Sequence, residues 1–241
     1  MSNQFSPGRF DVLPLVVKNI LILNGLFFLA TYVLQTSYGI DLIAQLGLRF
    51  PGASKFRIWQ PITHLFMHGS INHILFNMFS FWMFGSVLEN VWGSKRFLNF
   101  YIITGLGAAT LHYLIVFFID LLPILNQIDL DMVTASGTKT VYLERYRAAI
   151  LNRPNIIGAS GAVAGIWMAF AYLFPNSTLY LFFALPVKAK YLMAAYIVIE
   201  LYQALRFDPT DQVAHFAHLG GILFGFVIVK YLYANDRRNF Y

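Results

Sequence analysis

The stretch Gly158-Ala159-Ser160-Gly161-Ala162-Val163-Ala164-Gly165 sets a serine between glycines at the head of an apolar run that reaches Phe174. A serine hydroxyl attacks a carbonyl only when a neighbouring base takes its proton. Alone in an apolar helix it usually bonds back to the backbone. A second stretch, Ala217-His218-Leu219-Gly220-Gly221-Ile222-Leu223-Phe224-Gly225, supplies that base. Each stretch carries small residues four apart, Gly161/Gly165 and Gly221/Gly225. Such faces let two helix backbones approach closely in a membrane. Packed together, they bring the His218 imidazole within reach of the Ser160 hydroxyl.

Acyl transfer also needs donors for the oxyanion. The Ser160 amide at a helix N-terminus is one. His73 and Asn77, four apart and so on one helix face, can supply two more from the His64–Trp92 stretch, in which three histidines and two asparagines enter an apolar helix. Polar groups in a span are costly and face the bundle interior or a wet cavity. His64 and His68 read as structural hydrogen-bonding groups between helices. His64-xxx-His68 is a poor zinc motif, with no H-E-x-x-H pattern around it. His112 stands alone and reads as core. No Asp or Glu lies near His218 in sequence, so the expectation is a Ser–His dyad held by packing, without cofactor or metal. His215 reads as a rim residue. Glu200 is a buried carboxylate by hydropathy, a functional candidate by default and equally suited to a structural hydrogen bond or a neutral, protonated state.

The elements that position these groups are membrane helices. Of 241 residues, 58% are apolar and 12% charged, and mean hydropathy is +0.61. Soluble domains carry about 25% charged residues. The apolar runs do not alternate, which excludes a β-barrel. The reading is an all-α membrane protein with six transmembrane helices at 15–34, 71–91, 97–119, 158–174, 189–206 and 213–233. A short lead (1–14) and a tail (235–241) flank the 15–234 membrane domain. No cysteine is present, which excludes disulfides and thiolate chemistry. The net charge of +6 is scattered, which fits an anionic leaflet better than nucleic acid.

The 35–63 connection, with Leu42, Ile43, Leu46 and Leu48 at roughly helical spacing, reads as an interfacial segment. Glu89 is structural, received by Ser94 or by the amides that follow it. Residues 120–155 form a mixed polar connection, and 175–188 a partly apolar loop. Six spans put both termini on one side. Nine of the 17 Lys and Arg fall on that side and eight on the other, a slight lean toward cytoplasmic termini. The expected setting is the cytoplasmic membrane of a bacterium.

Taken in order, His68…His73-xxx-Asn77, Glu89-xxx-Gly93-Ser94, Gly158-x-Ser160-Gly161 and Ala217-His218-x-x-Gly221-xxx-Gly225 resemble the rhomboid family of intramembrane serine proteases, across nearly the whole chain. The resemblance implies a six-helix rhomboid-like bundle. It implies Ser160 as nucleophile, His218 as base, and His73 and Asn77 as oxyanion donors. It implies cleavage of transmembrane segments of other membrane proteins within the lipid bilayer, without cofactor or metal, in a water-filled cavity. Two positions depart from the family pattern. Trp59-Gln60 stands where many members have Trp-Arg, which puts a structural hydrogen bond of the first loop in question. Ala164 stands where some members place an aromatic against the histidine, so something else must hold the His218 ring. The rival reading is a non-catalytic rhomboid-like protein that binds or escorts membrane clients. A transporter would show repeat symmetry between halves, which is absent. An aspartyl intramembrane protease would need paired aspartates in the spans, also absent.

Overall fold

A computed structural model describes residues 10–122, 151, 156–181, 184–206 and 213–233. Most of the 120–155 connection and the whole 235–241 tail lie outside the described residues. The described helices are α1 (Leu15–Tyr38), α2 (Leu42–Leu46), α3 (Gln60–Thr63), α4 (Ile71–Trp92), α5 (Ser94–Val116), α6 (Ser160–Leu173), α7 (Ala189–Arg206) and α8 (His215–Leu232). A 3-10 turn, His64–Phe66, follows α3, and a π turn, Phe117–Leu121, follows α5.

Among the described residues, the six long helices overlap the six stretches read as spans. Four segments among the described residues are long and apolar enough to cross a bilayer: Leu15–Tyr38, Ile71–Trp92, Ser94–Ile119 and His215–Leu232. Helix α6 has 14 residues, about 21 Å at 1.5 Å per residue. It is apolar all round and buries ten of those residues, as a helix in the centre of a bundle must.

Local chemistry fixes the ends. Helix α1 begins on a borrowed cap: the Val16 and Val17 N–H groups donate to Glu89 Oε1 and Oε2 of α4 at 2.9 and 2.8 Å. A carboxylate there satisfies two orphan donors and complements the helix dipole. Ser94 donates to Glu89 Oε1 at 2.6 Å. Glu89 is thus structural and received by Ser94 as expected, but the amides belong to α1 rather than to the residues that follow it. Residues 1–9 of the lead lie outside the described residues, and Asp11 and Val12 are strapped to the same helix, with Trp82 Nε1 donating to Val12 O at 3.0 Å and Asn90 Nδ2 to Asp11 O at 2.8 Å. Helix α1 runs four residues past the expected Leu34 and stops at Gly39, whose φ of 66° suits the left-handed cap.

Three expectations are corrected. His64 and His68 do not enter the second helix. Ser70 caps it, accepting from His73 N at 3.2 Å, so the helix starts at Ile71 and both histidines precede it. Residues 175–188 are not a plain loop: β1 (Thr178–Leu181) and β2 (Leu185–Lys188) form an antiparallel hairpin, Thr178 opposite Lys188. Finally, Gln60 takes up the first-loop bonding left open by its departure from the family pattern. It is wholly buried. Its Oε1 accepts from Arg49 N and Arg57 N at 3.3 and 3.2 Å, and its Nε2 donates to Gln45 O and Lys55 O at 3.2 and 3.3 Å. A carboxamide both accepts and donates, whereas a guanidinium only donates.

Candidate active site

The serine helix starts on a glycine that only a glycine can serve. Gly158 has φ of 112°, and its N–H donates to His64 O at 2.9 Å. A Cβ there would lie 2.8 Å from His73 Nε2 and 3.7 Å from Ser160 Oγ. His73 of α4 and Ser160 therefore flank the same spot. Ser160 is the first residue of α6, and the earliest α-helical bond recorded at its head is Val163 N to Ala159 O at 2.9 Å. The amides of the first turn, Ser160 among them, are the natural donors for an anion.

Helix α8 runs parallel to α6 in tight register. A Cβ on Gly221 would fall on the Gly161 carbonyl, and one on Gly225 would lie 2.7 Å from Gly165 O. A Cβ on Gly161 would meet Ala217 O at 3.4 Å. The two glycine faces meet as their spacing predicts, which sets the head of α6 level with Ala217–Gly221. Helix α5 closes the third side. Gly161 faces Ala108 Cβ, Gly165 faces the Thr104 methyl, and Gly220 lies against the Ala108 backbone. Gly105 and Gly107 of α5 also serve as close-packing sites, against Leu65 and Phe224.

His218 thus stands one turn into α8 beside the head of α6. His73 and His112 both lie close enough to interact with it electrostatically. His112 is therefore a neighbour of this site, not the isolated core residue its sequence context indicates. Asn77 is buried on the His73 face, and its Nδ2 donates to His73 O at 3.0 Å. Asn72 is exposed. His64 sits behind the site, its Nδ1 donating to Gln60 O at 3.0 Å. Burial pushes its pKa down to about 4. His68 packs edge-on against His73, ring centroids 4.8 Å apart. Burial, with the charge of His73 adding, pushes it down to about 3.

A feature absent from the sequence reading is the carboxylate beside the histidine. Glu200 of α7 places Oε2 2.7 Å from His215 Nδ1 and Oε1 3.0 Å from His218 Nδ1. The His215 contact is a formed hydrogen bond. The His218 contact has the distance but not the alignment of one. His215 is not a bare rim residue, since it is tied to a buried acid. Tyr196, one turn before Glu200, sets its ring 6.4 Å from the His218 ring at 33° and hydrogen-bonds Glu200. An aromatic does stand beside His218, but it comes from α7 and not from the Ala164 position. The ligand atoms of Glu200, His215 and His218 lie within 4.8 Å of one another. That spacing suits a divalent ion, although both carboxylate oxygens already face imidazoles.

Residues 55–235 match the model of the rhomboid domain. The chain belongs to the rhomboid family. Among relatives, it is 28% identical over 194 residues to RHOMBOID-like protein 1 of Arabidopsis thaliana, covering 77% of this chain and 39% of that protein. It is 28% identical over 171 residues to the mitochondrial RHOMBOID-like protein 6 of the same plant, covering 70% and 42%. It is 39% identical over 57 residues to the rhomboid protease GlpG of Salmonella newport (strain SL254), covering 24% of this chain and 21% of that protein. The chain thus spans about two fifths of the length of these plant rhomboid proteins. Together with its membrane-spanning helices, membership of the family makes it an integral membrane protein.

Proposed function

We propose that this rhomboid protein is an intramembrane serine endopeptidase that cleaves transmembrane segments of other membrane proteins. The observation that carries the reading is the backbone-to-backbone fit of Gly161/Gly165 against Gly221/Gly225, which brings the head of the serine helix level with His218. In this reading His218 Nε2 takes the Ser160 proton as Oγ bonds to the substrate carbonyl carbon. The Ser160 amide, His73 and Asn77 receive the oxyanion. As the C–N bond breaks, the imidazolium returns its proton to the leaving nitrogen. Water then hydrolyses the acyl-enzyme by the same steps in reverse order. No metal or cofactor takes part. All six long helices cross the bilayer, with both termini cytoplasmic in a bacterial inner membrane. A relative named as a rhomboid protease supports this reading.

The test is cleavage of a model transmembrane substrate by the purified full chain in proteoliposomes, beside Ser160→Ala and His218→Ala. Both variants should lose all measurable cleavage while keeping their thermal unfolding midpoints. The losses should not add in the double variant, because the two residues act as one unit. A fluorophosphonate probe should label the wild type at Ser160. Undiminished cleavage by Ser160→Ala would instead favour a non-catalytic rhomboid-like escort, with the activity a contaminant's.

A further inference from the structure

We infer that Glu200 is the positioning acid of a Ser160–His218–Glu200 triad, supplied by the neighbouring helix and steadied by His215 and Tyr196. The inference rests on the protease reading of Ser160 and His218, and extends it from a dyad to a triad. Its basis is one cluster in space. The Glu200 carboxylate is nearly buried, 7% exposed, and the imidazoles of His215 and His218 are each 12% exposed. One oxygen is bonded to His215 Nδ1 at 2.7 Å, which fixes the plane and rotation of the carboxylate. The other is thereby left 3.0 Å from His218 Nδ1.

That placement determines which nitrogen of His218 does which task. A carboxylate only accepts, so the nitrogen facing it carries the proton. With Nδ1 protonated and turned toward α7, the lone pair lies on Nε2, the atom required to take a proton from Ser160. The tautomer at each ring nitrogen is thus set by the hydrogen bond the other one makes. When Nε2 accepts the serine proton, the imidazolium has an anion at 3.0 Å in a nearly buried site, where such a charge is stabilised far more than in water. Glu200 itself exchanges no proton. The misalignment of the His218 contact is ordinary for a free enzyme, in which such bonds tighten once substrate is bound.

Tyr196 completes the support. Its ring, 6.4 Å from that of His218, stands on the α7 side of the imidazole. Its hydroxyl donates to Glu200. One turn of α7 therefore holds both the ring of His218 and the acid that orients it. The other ionisable groups facing His218 are His73 from α4 and His112 from α5. Both are bases that could compete for a proton but cannot accept one from Nδ1–H as an anion does. Glu200 is the one carboxylate touching His218 among the described residues.

The experiment uses the full chain in detergent or proteoliposomes, with Glu200→Gln, Glu200→Asp, Tyr196→Phe and His215→Gln beside the wild type. Four quantities are read: kcat and KM on a model transmembrane substrate, fluorophosphonate labelling at Ser160, thermal unfolding, and the low-field imidazole N–H resonance of 15N-histidine protein. Glu200→Gln should lower kcat about 100-fold with KM within about twofold, since a wrongly oriented or wrongly protonated base affects chemistry and not binding. Glu200→Asp should recover part of that loss, and Tyr196→Phe should lose severalfold at most. With Ser160 occupied by the fluorophosphonate, the wild type should show a low-field Nδ1–H resonance that persists in His215→Gln and is missing from Glu200→Gln.

Wild-type kcat in Glu200→Gln, with Ser160 still labelled, would overturn the triad and leave the protease reading intact. Absence of the low-field resonance from labelled His215→Gln would do the same, even if Glu200→Gln fails to fold. Wild-type protein that neither cleaves nor labels would remove the protease reading and the triad with it. Activity abolished by EDTA and restored by Zn2+ would make Glu200, His215 and His218 a metal site, and would likewise overturn the proposal.

Discussion

Two of the neighbours of the histidine helix α8, α6 and α7, hold it in opposite ways. Against α6 it presents bare backbone: the Gly221 and Gly225 α-carbons sit on the Gly161 and Gly165 peptide units, with no room for a Cβ. Against α7 it presents polar side chains, with His215 and His218 reaching one carboxylate and one tyrosine. Burial follows the same division. Helix α6 buries ten of 14 residues, whereas α7 buries four of 18, namely Ala189, Met193, Glu200 and Ala204. A backbone seam sets depth and distance and tolerates no added atom. A side-chain seam sets the orientation of one ring and leaves the rest of its helix exposed, as at Val198, Ile199, Tyr202 and Leu205. Ser160 lies on the first seam and the proposed acid on the second.

The largest expected effect comes from breaking the backbone seam. Gly221→Val places its Cβ on the Gly161 carbonyl, so the helices must part by an ångström or more. In lipid there is little hydrophobic drive to restore the contact. A shift of about 1 Å between reacting groups costs ~100-fold. Gly221→Val and Gly165→Val should each lose at least that factor in kcat, with a lowered unfolding midpoint. Gly25→Val, on α1 where nothing lies within 4 Å of the new Cβ, should keep both. Cleavage and unfolding at matched protein levels decide it. Full activity in both seam variants would mean that the helices tolerate separation, and the distinction between the two seams would fail.

The difference between the seams is also why one was legible in the sequence and the other was not. Glycines four apart advertise a backbone contact, because nothing but close approach explains them in an apolar run. The fit of Gly161 and Gly165 against Gly221 and Gly225, and with it the shared level of Ser160 and the start of α8, could be read directly. A side-chain contact between helices has no spacing to betray it. Glu200 and His218 lie on different helices, and hydropathy marks Glu200 only as a costly carboxylate without naming its partner. Tyr196 looks like any apolar-helix tyrosine. The place of Gln60 as the bonding centre of the first loop was equally invisible, because its four partners are all backbone atoms. By contrast, the exclusion of His64 and His68 from α4 had a signal in Gly69-Ser70, a break followed by a good N-cap. The apolar His64–Trp92 run obscured it.

A smaller effect is expected where a side chain serves the site from a third helix. Asn77 spends one amide hydrogen on His73 O and has a second to offer an oxyanion. Asn77→Ala should lower kcat about 10- to 1,000-fold, since other donors remain. Asn72→Ala, exposed on the same helix, should be close to wild type. Equal losses in the two variants, read with their unfolding midpoints, would assign the effect to helix stability. A kcat loss confined to Asn77 would place it with Glu200 among groups set by side chains.

The smallest effect at neutral pH concerns the platform behind the backbone seam. His64 accepts the Gly158 N–H through its carbonyl at 2.9 Å, and so braces the turn that starts α6. Its imidazole and that of His68 are buried neutral, with pKa values near 4 and 3 against an ordinary 6.5. Folded values below the unfolded one mean that the unfolded chain takes up protons first. The stabilisation is therefore complete above pH 6.5 and is lost as pH falls toward about 4. By pH 6 the cost is about 1 kcal/mol for each histidine. The unfolding midpoint in detergent should be flat from pH 8 to 7 and fall from 6.5 downward, and His64→Gln should make the fall shallower. Glu200→Gln should leave this slope unchanged, because the platform lies on the backbone side of the comparison and Glu200 on the other. A Glu200→Gln midpoint that no longer responds to pH in this window would show that the acid response belongs to the α7 seam, and that the two seams are not independent.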